Sequence, residues 1–190
     1  MLKNSTEGYG KIQIIFHWLS AIIVFGLFGL GLWMMDLNYY SEWYRTAPDL
    51  HKSIGLTLLI LTICRVIWKL VNPSPKALST NKIENKIAKV AHLALYLLMF
   101  AIMISGYLIS TADGRGIDWF WLFEVPSMGE FIPQQEEVAG DIHEILAYSL
   151  IGLVVFHAIA ALKHHFINKD KTLVRMVSFK TQETFKDDVS

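Results

Sequence analysis

The chain has 190 residues and no net charge, 17 Lys and Arg balancing 17 Asp and Glu, while 53% of it is hydrophobic and 13% aromatic. A mean hydropathy of +0.38 is too high for a water-soluble globule, so the membrane is the first reading and no nucleic-acid partner is expected. The single cysteine, Cys64, excludes an internal disulfide or a cysteine cluster.

About 20 apolar residues span a bilayer core, and the chain holds four such windows. The first, Ile14 to Met35, has too long an apolar run for a signal peptide. No small-residue cleavage site follows Leu32-Trp33-Met34-Met35, so it is expected to be retained. The second, Ile54 to Val71, is apolar except for Arg65 and Lys69 near its end, where long basic side chains snorkel toward headgroups. Cys64 inside it is expected to be a small buried apolar residue. Asn72-Pro73-Ser74-Pro75 stops this helix, because proline removes a donor and biases its predecessor away from helix. The third window runs from Val90 to Ser110 and the fourth from Ile145 to Phe166. The expectation is an all-α integral membrane four-helix bundle, with helices over about 14–35, 52–71, 90–110 and 143–166 in one transmembrane domain, 1–177. A polar, frayed tail, 178–190, follows.

Net charge conceals a strong asymmetry. From Arg65 to Ala91 there are six Lys and Arg against Glu84 alone, whereas from Thr111 to Ile142 only Arg115 stands against seven acids. Lys163, Lys169, Lys171 and Arg175 add to the basic side. The positive-inside rule then puts both termini and the loop between helices two and three in the cytoplasm, and the acidic loop outside.

Seven histidines occur, and two bracket the fourth helix: His143 and His157. Fourteen residues return a helix to within about 40° of one face and rise about 21 Å. The pair therefore lies on one stripe, near opposite sides of the membrane, and an imidazole there is expected to face the bundle rather than lipid. His51 begins helix two on the outer side, as His143 begins helix four; His17 lies at the inner end of helix one, as His157 lies toward the inner end of helix four. Each level thus offers imidazoles on different helices, which suits the two axial positions of a six-coordinate haem iron. Zinc lacks four ligands at membrane depth, and the Glu-x-x-His pairs of a di-iron bundle are missing from the sequence. A proton relay uses the same residue types but has no need of the fourteen-residue spacing. Depth alone leaves His92 and His164 open as inner ligands.

Gly55 and Gly106 stand where absent side chains make room for a flat macrocycle or for close helix packing; Gly26, Gly29 and Gly31 read as packing alone. Arg65 lies fourteen residues after His51, on the same face at the inner level. There a guanidinium suits a haem propionate bidentately, although an ordinary positive-inside arginine has the same placement.

The segments IIFHWL around His17, LHKSIG around His51, RVIWKLVNPSP, AHLALYLL around His92, DIHE around His143 and VVFHAIAALKHHF around His157 resemble, in that order and spacing, the bacterial cytochrome b561 family of di-haem membrane cytochromes. The likeness covers about Lys11 to Arg175. It implies two haem b, with His17 and His157 ligating the inner iron and His51 and His143 the outer one, in a cytochrome b domain of the bacterial inner membrane. His92, His164 and His165 are left as interface residues.

Bis-histidine ligation leaves no open coordination position, so the expected chemistry is outer-sphere electron transfer with membrane quinone, ubiquinone in particular, as partner. One branch of the family implies a superoxide:ubiquinone oxidoreductase. For that anion Lys52 and Arg115 are the candidate steering cations, set in acidic outer loops. Asp118 to Phe123 reads as an interfacial stretch over the outer haem or beside a quinone pocket, or else as an aromatic belt anchor like Trp33, Trp43 and Trp68. A membrane-anchor subunit relaying electrons for a dehydrogenase or hydrogenase partner is the alternative. A haem-free proton or metal transporter is a third reading.

Overall fold

The apolar windows become four long helices in the computed structural model of the chain, which describes residues 1–178. They are α1 (Lys11–Met35), α2 (Thr46–Val71), α3 (Lys82–Ser110) and α4 (Gln135–Phe166), with strands β1 (Ile117–Trp119) and β2 (Phe123–Val125) between α3 and α4 and a short α5 (Val174–Val177) at the end. The tail expected to be frayed lies outside the described residues apart from Ser178.

All four helices are long and apolar enough to cross a membrane. Their outward faces carry Ile22, Leu97 and Phe156, which are 68%, 61% and 71% exposed, an arrangement stable only where lipid covers them. Cys64 is on such a face too, exposed rather than buried. In a membrane span an outward position is as apolar as a core, so hydrophobicity alone does not separate the two.

The helices begin three, eight, eight and ten residues before the apolar windows. At 1.5 Å per residue the 32 residues of α4 reach about 48 Å, well beyond a hydrocarbon core of about 30 Å, so polar turns at the ends continue helices that hydropathy cuts short. For α3 the start has a local cause: the Asn81 side chain accepts from the Ile83 and Glu84 amides, satisfying donors that a helix N-terminus leaves open. α2 ends at Val71, with Asn72 extended ahead of Pro73 as expected.

Backbone packing is closest between α3 and α4, then α1 and α2, then α2 and α3. Halfway along, Val24, Leu58, Met99 and Leu150, one from each helix, form a buried apolar layer. Val24 follows His17 by seven residues, Leu58 follows His51 by seven, and Leu150 falls midway between His143 and His157, so this layer separates two histidine levels.

At the basic end the chain termini meet the loop between α2 and α3. The Trp18 indole donates to the Met176 carbonyl (2.6 Å), Arg175 to the Lys76 carbonyl (2.8 Å), and the Lys76 amide to the Thr6 carbonyl (2.8 Å). Lys163 Nζ and Glu84 pair at 2.7 Å, tying the start of α3 to the end of α4. Both ends of the described chain therefore share one side of the bundle, the side rich in Lys and Arg.

At the acidic end β1 and β2 form an antiparallel hairpin in which Trp119 faces Phe123. Its turn places Phe120 and Trp121 at φ 49° and 59°, a conformation that usually calls for Gly or Asn. The Ser53 hydroxyl holds the hairpin to α2 by donating to the Asp118 carbonyl and accepting the Phe120 amide, and the Trp119 indole donates to Thr57 Oγ1 (3.1 Å). The aromatic stretch thus docks two to six residues from His51 along α2, while Trp121, Leu122 and Phe123 stay exposed at the tip.

Candidate cofactor site

Two pairs of imidazoles face each other across the bundle. The rings of His51 on α2 and His143 on α4 have centroids 6.2 Å apart; those of His17 on α1 and His157 on α4 are 6.1 Å apart. A metal held between two imidazole nitrogens at about 2 Å from each sets the centroids about 6 Å apart, so both separations suit an axial pair. The seams α1–α4 and α2–α4, across which these pairs face, are not among the closely packed ones.

Each ring has a different support. His143 Nδ1 lies 3.0 Å from the Ile102 carbonyl and 3.0 Å from Ser105 Oγ, and Ser105 is itself buried. A carbonyl only accepts, so Nδ1 carries the proton and Nε2 keeps its lone pair for a metal. Gly106 completes this cradle, because a Cβ there stands 3.0 Å from His143 Cε1. Gly31 does the same for His51, at 3.3 Å from its Cε1. Gly106 therefore makes room for the His143 ring, and Gly31 for the His51 ring. Gly55 has nothing within 4 Å of a Cβ.

His51 Nδ1 is buried with no hydrogen-bond partner among the described residues. At the other level His17 Nδ1 meets the Arg65 guanidinium at 3.1 Å. Arg65 also lies over the Tyr96 ring, 5.4 Å from its centroid, with Lys69 at 5.0 Å. Arg65 Nε and Trp68 Nε1, three residues apart on α2, are buried donors without acceptors among the described residues. Such donors suit a group that brings carboxylates, and buried unmet donors are costly enough to need that explanation. Facing imidazoles at metal-bridging distance at both levels, with buried polar atoms lacking partners at both, fit b-type haem held between α4 and its neighbours.

Other histidines behave differently. His92 is exposed, and its ring is 5.2 Å from that of His157, too close for a metal between them. His164 Nδ1 is held by Asp170 at 2.5 Å and by Asn168. His165 packs edge-on against Phe166. The two steering candidates are each tied to an acid: Lys52 Nζ is 2.7 Å from Asp49, and Arg115 forms an ion pair with Asp113. The hydrogen bonds from Arg115 hold the Asp113 carboxyl below its ordinary value, and the same contact pushes the guanidinium up.

A family profile described as prokaryotic cytochrome b561 matches residues 8–179, nearly the whole chain. The chain belongs to that family. Cytochrome b561 homolog 2 of Escherichia coli (strain K12) is 53% identical over 175 residues, 92% of this chain and 93% of the relative. A Yersinia pestis protein named "Probable superoxide oxidase CybB" is 31% identical over 89% of this chain and 95% of its own length. Cytochrome b561 homolog 1 of E. coli is 28% identical over 89% of this chain. Membership makes this cytochrome b561 a multi-pass membrane protein of electron transport in a family that binds b-type haem.

Of the residues expected from sequence, the four histidines fall into two facing pairs and Arg65 reaches His17, while Lys52 and Arg115 are occupied by neighbouring acids. Ser105, Gly31 and the Ile102 carbonyl were not legible as site residues. Their role lies in which helix face meets which imidazole, and no spacing within one segment records that.

Proposed function

We propose that the protein carries electrons across the bacterial inner membrane through two haem b, from a one-electron donor at the acidic, periplasmic end to membrane quinone, with ubiquinone as acceptor. The observation that carries this reading is the pair of imidazole separations, 6.1 and 6.2 Å, at two levels joined by α4. When bound, a bis-histidine haem b takes up and releases one electron without an open position for substrate.

The chain's own residues do the rest. His17 and His157 hold the inner group and His51 and His143 the outer one; Ile102 and Ser105 fix the His143 tautomer. Arg65 would pair its guanidinium with an inner propionate. The apolar layer of Val24, Leu58, Met99 and Leu150 keeps water from the space between the levels. The hairpin at Ser53 and Thr57 covers α2 just beyond His51.

Superoxide is the donor suggested by the name of the 31% identical relative. In this chain Lys52 and Arg115 each share their charge with an aspartate, so those two residues give an incoming anion little net pull. Stopped-flow mixing of the oxidised protein with superoxide decides the donor. Haem reduction supports superoxide as donor, at a rate that changes little with salt if Lys52 and Arg115 do not steer it; no reduction leaves a carrier for another periplasmic reductant.

A further inference from the structure

The outward face of α3 changes character along its length. At Leu93, Leu97 and Ile104 it is apolar and exposed, a surface that hydrocarbon covers. One turn before Leu93 the same face becomes basic: Lys82, Lys86 and Lys89 are all exposed, and at 100° per residue the six side chains fall within an arc of about 80°. None of the three lysine side chains takes part in an ion pair or hydrogen bond among the described residues. Other cations at this end are engaged: Lys163 with Glu84 at 2.7 Å, Arg175 with the Lys76 carbonyl at 2.8 Å and Arg65 with His17 at 3.1 Å. Glu84, the acid of the first turn, sits about 160° round the helix from Lys82 and is held there by Lys163. A cation in the first turn also opposes the helix dipole, so Lys82 does not serve the stability of α3.

The spacing matches a headgroup layer. Counted from Val90, where the apolar stretch begins, Lys89, Lys86 and Lys82 stand about 1.5, 6 and 12 Å further along the axis. Each headgroup layer of a bilayer is about 5–7 Å deep, and a flexible lysine stem covers the remaining distance. Ile83 and Ile87, exposed beside the lysines, supply apolar contact, as in segments that lie at a membrane interface. We propose that Lys82, Lys86 and Lys89 bind the phosphate of an anionic phospholipid, of the phosphatidylglycerol or cardiolipin class, in the leaflet at the basic end, with Ile83 and Ile87 against its glycerol backbone and upper acyl chains. Bound there, the lipid fixes the depth at which α3 enters the bilayer. A second copy is the poorer occupant, because a two-fold contact through this stripe sets lysines against lysines. The inference goes beyond the electron-transfer reading and holds whichever donor feeds the protein.

Native mass spectrometry of the purified full chain, released from an uncharged detergent after titration with phosphatidylglycerol or with phosphatidylcholine of the same acyl chains, tests it. Phosphatidylglycerol is expected to bind more tightly than phosphatidylcholine. Combining Lys82→Gln, Lys86→Gln and Lys89→Gln is expected to remove that preference, with a loss of roughly fivefold in affinity per lysine. Arginine at the same three positions keeps the charge and should keep the preference. A control that removes three charges from exposed lysines elsewhere at this end, Lys3→Gln with Lys11→Gln and Lys169→Gln, should keep it too. The proposal is overturned if the two lipids bind alike, if the glutamine triple at 82, 86 and 89 retains the preference, or if the control triple loses as much, which would mean diffuse charge rather than a site. It is overturned as well if glycerol phosphate displaces the lipid at equal concentration, or if the spectra show a second copy of the chain in place of lipid that the glutamine triple releases.

Discussion

Replacing His143 by alanine is expected to leave one b haem per chain in place of two, and His157→Ala to leave one as well, but the other. In each variant one level loses one of its two axial nitrogens while the partner pair, fourteen residues away along α4, keeps both of its own. Losing one of two iron–nitrogen bonds weakens a site more than loss of a mere supporting group, which typically costs about 10–100-fold in metal affinity. The outcome is therefore a halving of the haem-to-protein ratio, read by pyridine haemochromogen assay against protein concentration. His92→Ala serves as the control, since His92 is exposed and its ring sits 5.2 Å from His157, short of the separation a bridging metal sets. Two haems should survive in it. If His143→Ala and His157→Ala both retain two haems, the ligand assignment is wrong.

Gly106→Val is expected to empty or distort the His51–His143 level while leaving the His17–His157 level intact. The reason is spatial: even a first side-chain carbon at this position reaches 3.0 Å from His143 Cε1, and valine adds two more. The ring cannot retreat freely, because its Nδ1 is fixed between the Ile102 carbonyl and Ser105. Overpacking of this kind costs on the order of 1–3 kcal/mol, and here the cheapest relief is to turn the imidazole off its axis. Low-temperature electron paramagnetic resonance should show one low-spin ferric signal changed or missing and the other unchanged. Gly29→Ala, at an exposed position with nothing within 4 Å of its Cβ, should leave both signals in place. Two unchanged signals in Gly106→Val would show that the cradle on α3 does not position His143.

The helices and the histidine levels were legible because both are periodic: apolar length reports a membrane span, and a fourteen-residue interval reports one helical face at two depths. Hydropathy missed the polar turns that carry α3 back to Lys82 and α4 back to Gln135, since a helix continues into headgroups and water where an apolar window stops. The hairpin was hidden for another reason. Its turn sets Phe120 and Trp121 at positive φ without the glycine or asparagine that normally marks such a turn, and only the Ser53 and Thr57 contacts account for its placement. Cys64 was expected inside and is found on the outward face, where lipid and protein core have the same polarity. Arg65 was legible as an inner-level cation, but its contact with His17 Nδ1 was not, because that depends on how α1 and α2 pack.

A dithionite-reduced minus oxidised spectrum of the purified protein, with haem quantified per chain, tests the central claim most directly. Two haem b per chain, with the absorption of bis-histidine low-spin iron, is the result that two facing imidazole pairs predict. A chain with a single haem would contradict one of the pairings, and a chain with none would contradict both.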